Sequence, residues 1–213
     1  MGAPTANLRV QPGSVDRTPM EGPSSAAAPS AWESSTVIAL LESSHDGIMA
    51  LAAVRDVNPA FARAYAFCLA NSTSREDLYG FADLIAGVLE ELKLHRRYAE
   101  RWQVDLSCVT PVAATNAYVD FLLETARRGD LGETIAAMTP CMRLYAFLGR
   151  SLAARTVAPL YAEWVKTYAD PGFEAMAARI ESLLDLHAKD CDTVRAAYRR
   201  AMELEYGFFD ASV

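Results

Sequence analysis

Apolar residues along the chain recur with a helical period, and strand-like alternation is absent. Between Arg75 and Trp102 they fall at 78, 81, 85, 88, 89, 92, 99 and 102, a spacing near 3.6. Ser74 stands before this run as a cap, and Glu76 and Asp77 occupy the first turn, where the helix dipole favours acids. Pro111 and "RRGD" at 127–130 bracket another helix, and a further one is predicted to start near Pro140. "YADPG" at 168–172 separates two more, and the last runs from about Cys191 to Asp210. Pro59 interrupts the pattern ahead of Phe61, because proline disfavours helix in the residue before it. These elements predict an all-α bundle of six to eight helices.

Polar residues in register with an apolar stripe carry the candidate chemistry. On the last helix the stripe is Val194, Tyr198, Ala201, Glu205 and Phe208, with Glu205 in its middle. A buried carboxylate is costly as an anion, so burial raises its pKa and suits it to acid–base work. Pairing with an arginine or tyrosine, or a place at the rim, explains the position as well. His95 shares the stripe of its own helix, where a satisfied core histidine is the plain reading, and no second His or Cys is spaced for a metal site. Tyr118 shares a face with Ala114, Phe121 and Leu122, while Tyr161, Trp164 and Tyr168 form another aromatic stripe. Buried tyrosine hydroxyls need partners, so a convergence of them makes a polar-tipped pocket for a flat ring.

Cys141 follows Thr139 and Pro140, read as a cap and a first helical position. A thiol in a first turn has its pKa lowered by the positive helix end, an argument that weakens if Pro140 instead kinks a continuous helix. Cys141, Tyr145, Leu148 and Leu152 line up at helical spacing, so the thiol faces inward. Periodicity alone leaves an inert core cysteine and a reactive one equally open.

Composition narrows the classes. The chain has 213 residues, 52% of them hydrophobic, enough for one domain with a substantial core. A net charge of −7 argues against nucleic acid or an anionic membrane surface as the main partner. No apolar run approaches the roughly 18 residues of a membrane span. Residues 1–30 are rich in Pro, Ser, Gly and Ala and are expected to be disordered, or to form a leader, while residues 31–213 form the helical domain. The four cysteines match no zinc spacing, so a reduced compartment is expected: the cytoplasm, or a mitochondrion or plastid if residues 1–30 are a transit peptide.

The strings "VLEELKLHRRYAERWQVDL", "YVDFLLETA", "MTPCMRLYAFLGRSL", "YAEWVKTYADPGFEA" and "AMELEYGFFDA" occur in that order. Together they resemble the thiaminase-II (TenA) family, and most closely the cysteine-bearing TenA domain of plant-type thiamin-salvage proteins. The resemblance runs from about Phe61 to Asp210. It implies the heme-oxygenase-like helical bundle, a homotetramer, and no metal or organic cofactor. The implied reaction hydrolyses 4-amino-5-aminomethyl-2-methylpyrimidine to the hydroxymethyl pyrimidine, with cleavage of thiamin as a lesser activity. By the same resemblance Cys141 is the nucleophile that attacks the ring, and Glu205 is the acid/base that protonates it and helps the leaving group depart. Tyr118, Tyr145, Tyr168 and Phe208 match substrate-binding positions, and His95 matches a supporting histidine. Plant-type relatives often carry a phosphatase domain after this one, and no phosphatase activity is expected of these 213 residues.

One departure accompanies the resemblance. The family carries "Y-[IL]-x-Q-D" on an early helix, and its aspartate binds the amino and ring nitrogens of the pyrimidine. Here the segment reads "MALAAVRDVNPAFARAY". Aligned without gaps from Phe61, the aspartate position falls on Val54; only a two-residue deletion makes Asp56 its counterpart. A non-catalytic pyrimidine- or thiamin-binding or assembly subunit is therefore the competing function, and a redox enzyme acting on a larger ring is a third.

Overall fold

The computed structural model describes residues 44–108, 110–155 and 159–211, with residues 44–56, 108 and 160 described by backbone alone. Residues 1–30 lie outside the described residues. The described chain forms seven α-helices: α1 (Ser44–Asn71), α2 (Arg75–Arg101), α3 (Ala113–Arg127), α4 (Leu131–Ala153), α5 (Ala162–Tyr168), α6 (Pro171–His187) and α7 (Asp192–Asp210). Short 3-10 turns at Leu106–Cys108 and Pro159–Tyr161 join some of them. Among the described residues there is no strand.

The boundaries follow local chemistry. Ser74 caps α2 by accepting from the Asp77 N–H at 3.0 Å, and Asp130 caps α4 by accepting from Glu133 at 2.7 Å. Asp170 accepts from Gly172 at 2.7 Å, with Pro171 at the first position of α6. The buried stripe of α2 is Phe81, Leu84, Val88, His95, Tyr98 and Ala99. Leu78 and Leu89, assigned to it by periodicity, are exposed.

Two prolines behave differently from expectation. Pro59 lies inside a continuous α1. The pre-proline penalty is overridden because Val57, Asn58, Ala60 and Phe61 are all buried around it. Pro140 lies inside α4, ten residues past the Asp130 cap rather than at a helix start. Thr139 is not a cap: its hydroxyl donates back to the Ile135 carbonyl at 2.8 Å. The run Thr134 to Pro140 is buried throughout, and that packing holds the helix together across the missing N–H.

Helix α4 is the central element. It packs on α5, α6 and α7, while α1 packs on α2 and α3. Arg143 of α4 forks onto two carboxylates of α6, Glu181 at 2.7 and 2.5 Å and Glu174 at 2.7 Å. Gly149 lets α4 touch the end of α5: a Cβ there would lie 2.3 Å from the Tyr168 carbonyl carbon. Among the described residues no helix is long and apolar enough to cross a membrane.

Candidate active site

Helix α7 turns Glu205 inward because Ala201, Leu204, Phe208 and Phe209 share its apolar face. The carboxyl is only 1% exposed and no basic side chain pairs with it among the described residues. It is satisfied by neutral donors instead. The Tyr118 hydroxyl, reaching across from α3, donates to Glu205 Oε1 at 2.6 Å. The Cys141 thiol of α4 is hydrogen-bonded to the same carboxyl. Burial pushes the Glu205 pKa up to about 7, and the two hydrogen bonds hold it from rising further.

Cys141 keeps partial exposure, toward a pocket lined also by Tyr118, Tyr145, Glu205 and Phe208. Its thiol pKa is raised, first by burial and then by the neighbouring Glu205 charge. The expected lowering by a helix N-terminus is therefore corrected: Cys141 sits in mid-helix, far from any unpaired N–H groups. Among the described residues the thiol at a helix start is Cys191, which occupies the N-cap position of α7 and has its pKa lowered by the Thr193 hydroxyl and backbone N–H groups. Cys68 is buried, and desolvation raises its pKa to about 12.

The predicted site residues separate into two groups. Cys141, Glu205, Tyr118, Tyr145 and Phe208 share the pocket wall. Tyr168 stands behind it, its ring 5.0 Å from that of Tyr145, and donates to Glu91. His95 lies deeper, with Nε2 3.4 Å from the Tyr168 hydroxyl and Nδ1 3.3 Å from Asn58 Nδ2. Burial lowers the His95 pKa to about 4, so the ring is neutral. Nδ1 then accepts from Asn58, which leaves the Nε2 proton for the Tyr168 oxygen. Asp56 lies on α1, but its side chain is outside the described residues.

Several pocket residues were not read from the sequence. Asn58 and Phe61 come from α1, Glu91 from α2, Met142 from α4 and Phe173 from α6. The Phe61 ring meets Tyr118 edge-on at 5.9 Å. Glu91 is half-buried, and desolvation raises its pKa against hydrogen bonds from Tyr168 and Asn58. The Tyr65 hydroxyl is fully buried without a hydrogen-bond partner among the described residues, close enough to feel the charges of Cys141 and Glu91. Among the described residues no three His, Cys, Asp or Glu side chains come together to hold a metal ion.

This arrangement coincides with a sequence match. Residues 59–213 fit the profile of the TENA/THI-4/PQQC family. The chain belongs to that family. Its relatives within and around the TENA/THI-4/PQQC group include the bifunctional TH2 protein, mitochondrial, of Arabidopsis thaliana, 32% identical over 71% of this chain. They also include an aminopyrimidine aminohydrolase of Halalkalibacterium halodurans, 30% identical over 70% of this chain. The chain matches 29% of the plant protein's length and 72% of the bacterial one's. A TenA family transcription regulator from Silicibacter sp. TM1040 superposes with a TM-score of 0.77 at 25% identity, over 87% of this chain and 92% of that one. A TenA homologue from Pyrococcus furiosus, 18% identical, superposes at 0.74 over 80% of this chain and 85% of its own. The seven helices thus have the heme-oxygenase-like arrangement of TenA proteins.

Proposed function

We propose that this chain is an aminopyrimidine aminohydrolase, a thiaminase II, that replaces the side-chain amino group of 4-amino-5-aminomethyl-2-methylpyrimidine by hydroxyl in thiamin salvage. The observation that carries the reading is the hydrogen-bonded triad of Cys141, Glu205 and Tyr118 in one aromatic-walled pocket. The aminohydrolase named among the relatives supports the same substrate class.

The triad suits a nucleophile that rests as a thiol. Glu205, with a pKa near 7, takes the Cys141 proton at neutral pH as the substrate ring closes over the pair. The thiolate adds to the unsubstituted ring carbon next to the one bearing the aminomethyl group. The ring double bond shifts outward to make an exocyclic methylene, and the amine leaves as ammonia with the proton carried by Glu205. Water then adds to the methylene and gives its proton to Glu205. The double bond returns to the ring, the thiolate is expelled, and Glu205 reprotonates it. Tyr118 holds the carboxyl in place through both transfers, and Tyr145 and Phe208 clamp the flat ring.

Ammonia release from the aminomethyl pyrimidine tests the reading. Cys141→Ser is expected to abolish turnover, and Glu205→Gln to lower it roughly 100- to 10,000-fold. Wild-type turnover in Cys141→Ser would sink this mechanism. Pyrimidine binding without turnover by the wild type, even at high enzyme concentration, would favour a non-catalytic binding subunit.

A further inference from the structure

Glu91 has no part in the proton transfers above, yet it faces the same pocket. It comes from α2, across from the α4 and α7 residues that hold Cys141 and Glu205. No lysine, arginine or histidine forms an ion pair with it among the described residues. A network holds it in place: Tyr168 donates to Oε1, Asn58 donates to the carboxyl, and the neutral His95 bridges Asn58 and Tyr168 from behind. Two donors occupy two of the roughly four acceptor positions of a carboxyl group, so the others remain for a ligand. A carboxyl taken from water, positioned by three side chains and given no cation is a costly arrangement unless something in the pocket uses it.

The proposed substrate has a matching edge. The 4-amino group and the adjacent ring nitrogen form an amidine: one N–H donor beside one acceptor. A carboxyl group pairs with that edge through two parallel hydrogen bonds wherever the shared proton resides. It acts as O–H to ring N in one form and as carboxylate to ring N–H in the other. Helix α1 offers Asn58 to this part of the pocket, and Asn58 is already engaged with Glu91 and His95.

Resting on the function proposed above, we infer that Glu91 is the residue that recognises the amidine edge of the aminopyrimidine, with Asn58, Tyr168 and His95 as its positioning residues. Sequence alignment gave that task to an α1 aspartate, with Asp56 as its nearest counterpart; here the carboxyl comes from α2. The ring then lies between Glu91 on one side and the Cys141–Glu205 pair on the other.

The test compares binding of 4-amino-5-hydroxymethyl-2-methylpyrimidine with the analogue lacking the 4-amino group, by calorimetry on the full chain. The wild type is expected to prefer the amino compound by about 10- to 100-fold, the range for a hydrogen bond to a charged group. Glu91→Met removes the pairing, and Glu91→Asp keeps the charge but withdraws it by one methylene. Each is expected to reduce the preference to threefold or less, with thermal unfolding reporting which variant is folded. Wild-type preference retained in either folded variant overturns the assignment. So does loss of preference in Asp56→Asn with none in the Glu91 variants, which returns the role to α1. If binding and turnover are normal while the preference survives in those variants, only this inference fails. If the wild type binds neither compound, the proposed function fails and takes this inference with it.

Discussion

Glu205 keeps its proton to about pH 7 because the side chains around it are apolar or neutral. Cys141 is made less acidic by the same environment and by the neighbouring carboxyl, so at rest the thiol keeps its proton beside Glu205. The sequence contained half of this. The stripe on α7 shows where Glu205 must point, since positions 201, 205 and 208 fall on one helical face. The thiol's electrostatics were not legible, because Thr139 and Pro140 imitate a helix start whereas α4 starts ten residues before Cys141, at Leu131. That difference is measurable with a small alkylating agent. At pH 7 Cys191, at the start of α7 with a lowered pKa, is expected to react with iodoacetamide before Cys141, and activity should survive this first modification. Cys68 should stay unlabelled in the native protein. Peptide mass mapping against residual activity decides it; first labelling at Cys141 with parallel loss of turnover would contradict the assignment.

At the scale of elements, periodicity located α2, α3, α6 and α7 closely, because each pairs a clear apolar face with a cap or breaker at its ends. It did not find Glu91. That residue sits in the charged string Glu90, Glu91, Lys93, and its burial comes from Asn58 on α1 and Tyr168 on α5 rather than from its own helix. Contacts of that kind join residues far apart in sequence and leave no local pattern. The crossing of α4 and α5 is another. Gly149 is there because the Tyr168 backbone occupies the space a side chain would need, with its carbonyl oxygen 2.5 Å from where an alanine methyl would lie. Gly149→Ala cannot be accommodated by rotating a side chain, since the obstacle is backbone. It should cost about 1–3 kcal/mol, the range for overpacking. The displaced Tyr168 would also loosen Glu91, so KM for the aminopyrimidine should rise more than kcat falls. Urea unfolding and steady-state kinetics on the variant check both parts; an unchanged midpoint would show that the two helices separate freely.

For the molecule as a whole, the site opposes stability in a way that depends on pH. Most ion pairs here have at least one well-exposed partner and contribute little each, whereas Glu205 is a buried carboxyl held by neutral donors. Its pKa is about 7 in the folded chain and 4.5 for an ordinary glutamate. The folded state therefore holds a proton that the unfolded state has already lost. That contribution is fully present below pH 4.5 and disappears as pH rises through about 7, because ionisation then occurs inside the protein. The raised Glu91 pKa acts in the same direction. Asp77 acts oppositely, its lowered pKa affecting stability only as pH falls below the usual carboxylate range. Glu205→Gln keeps the shape and a partner for Tyr118 but does not titrate. Relative to the wild type it should gain stability steadily between pH 5 and 8, by up to about 3 kcal/mol for a shift of this size, while losing activity. Urea unfolding of both proteins across that range measures the difference directly. Parallel stability curves would mean that Glu205 does not titrate between pH 5 and 8 in the folded chain, contrary to the raised pKa that suits it to take the Cys141 proton at neutral pH.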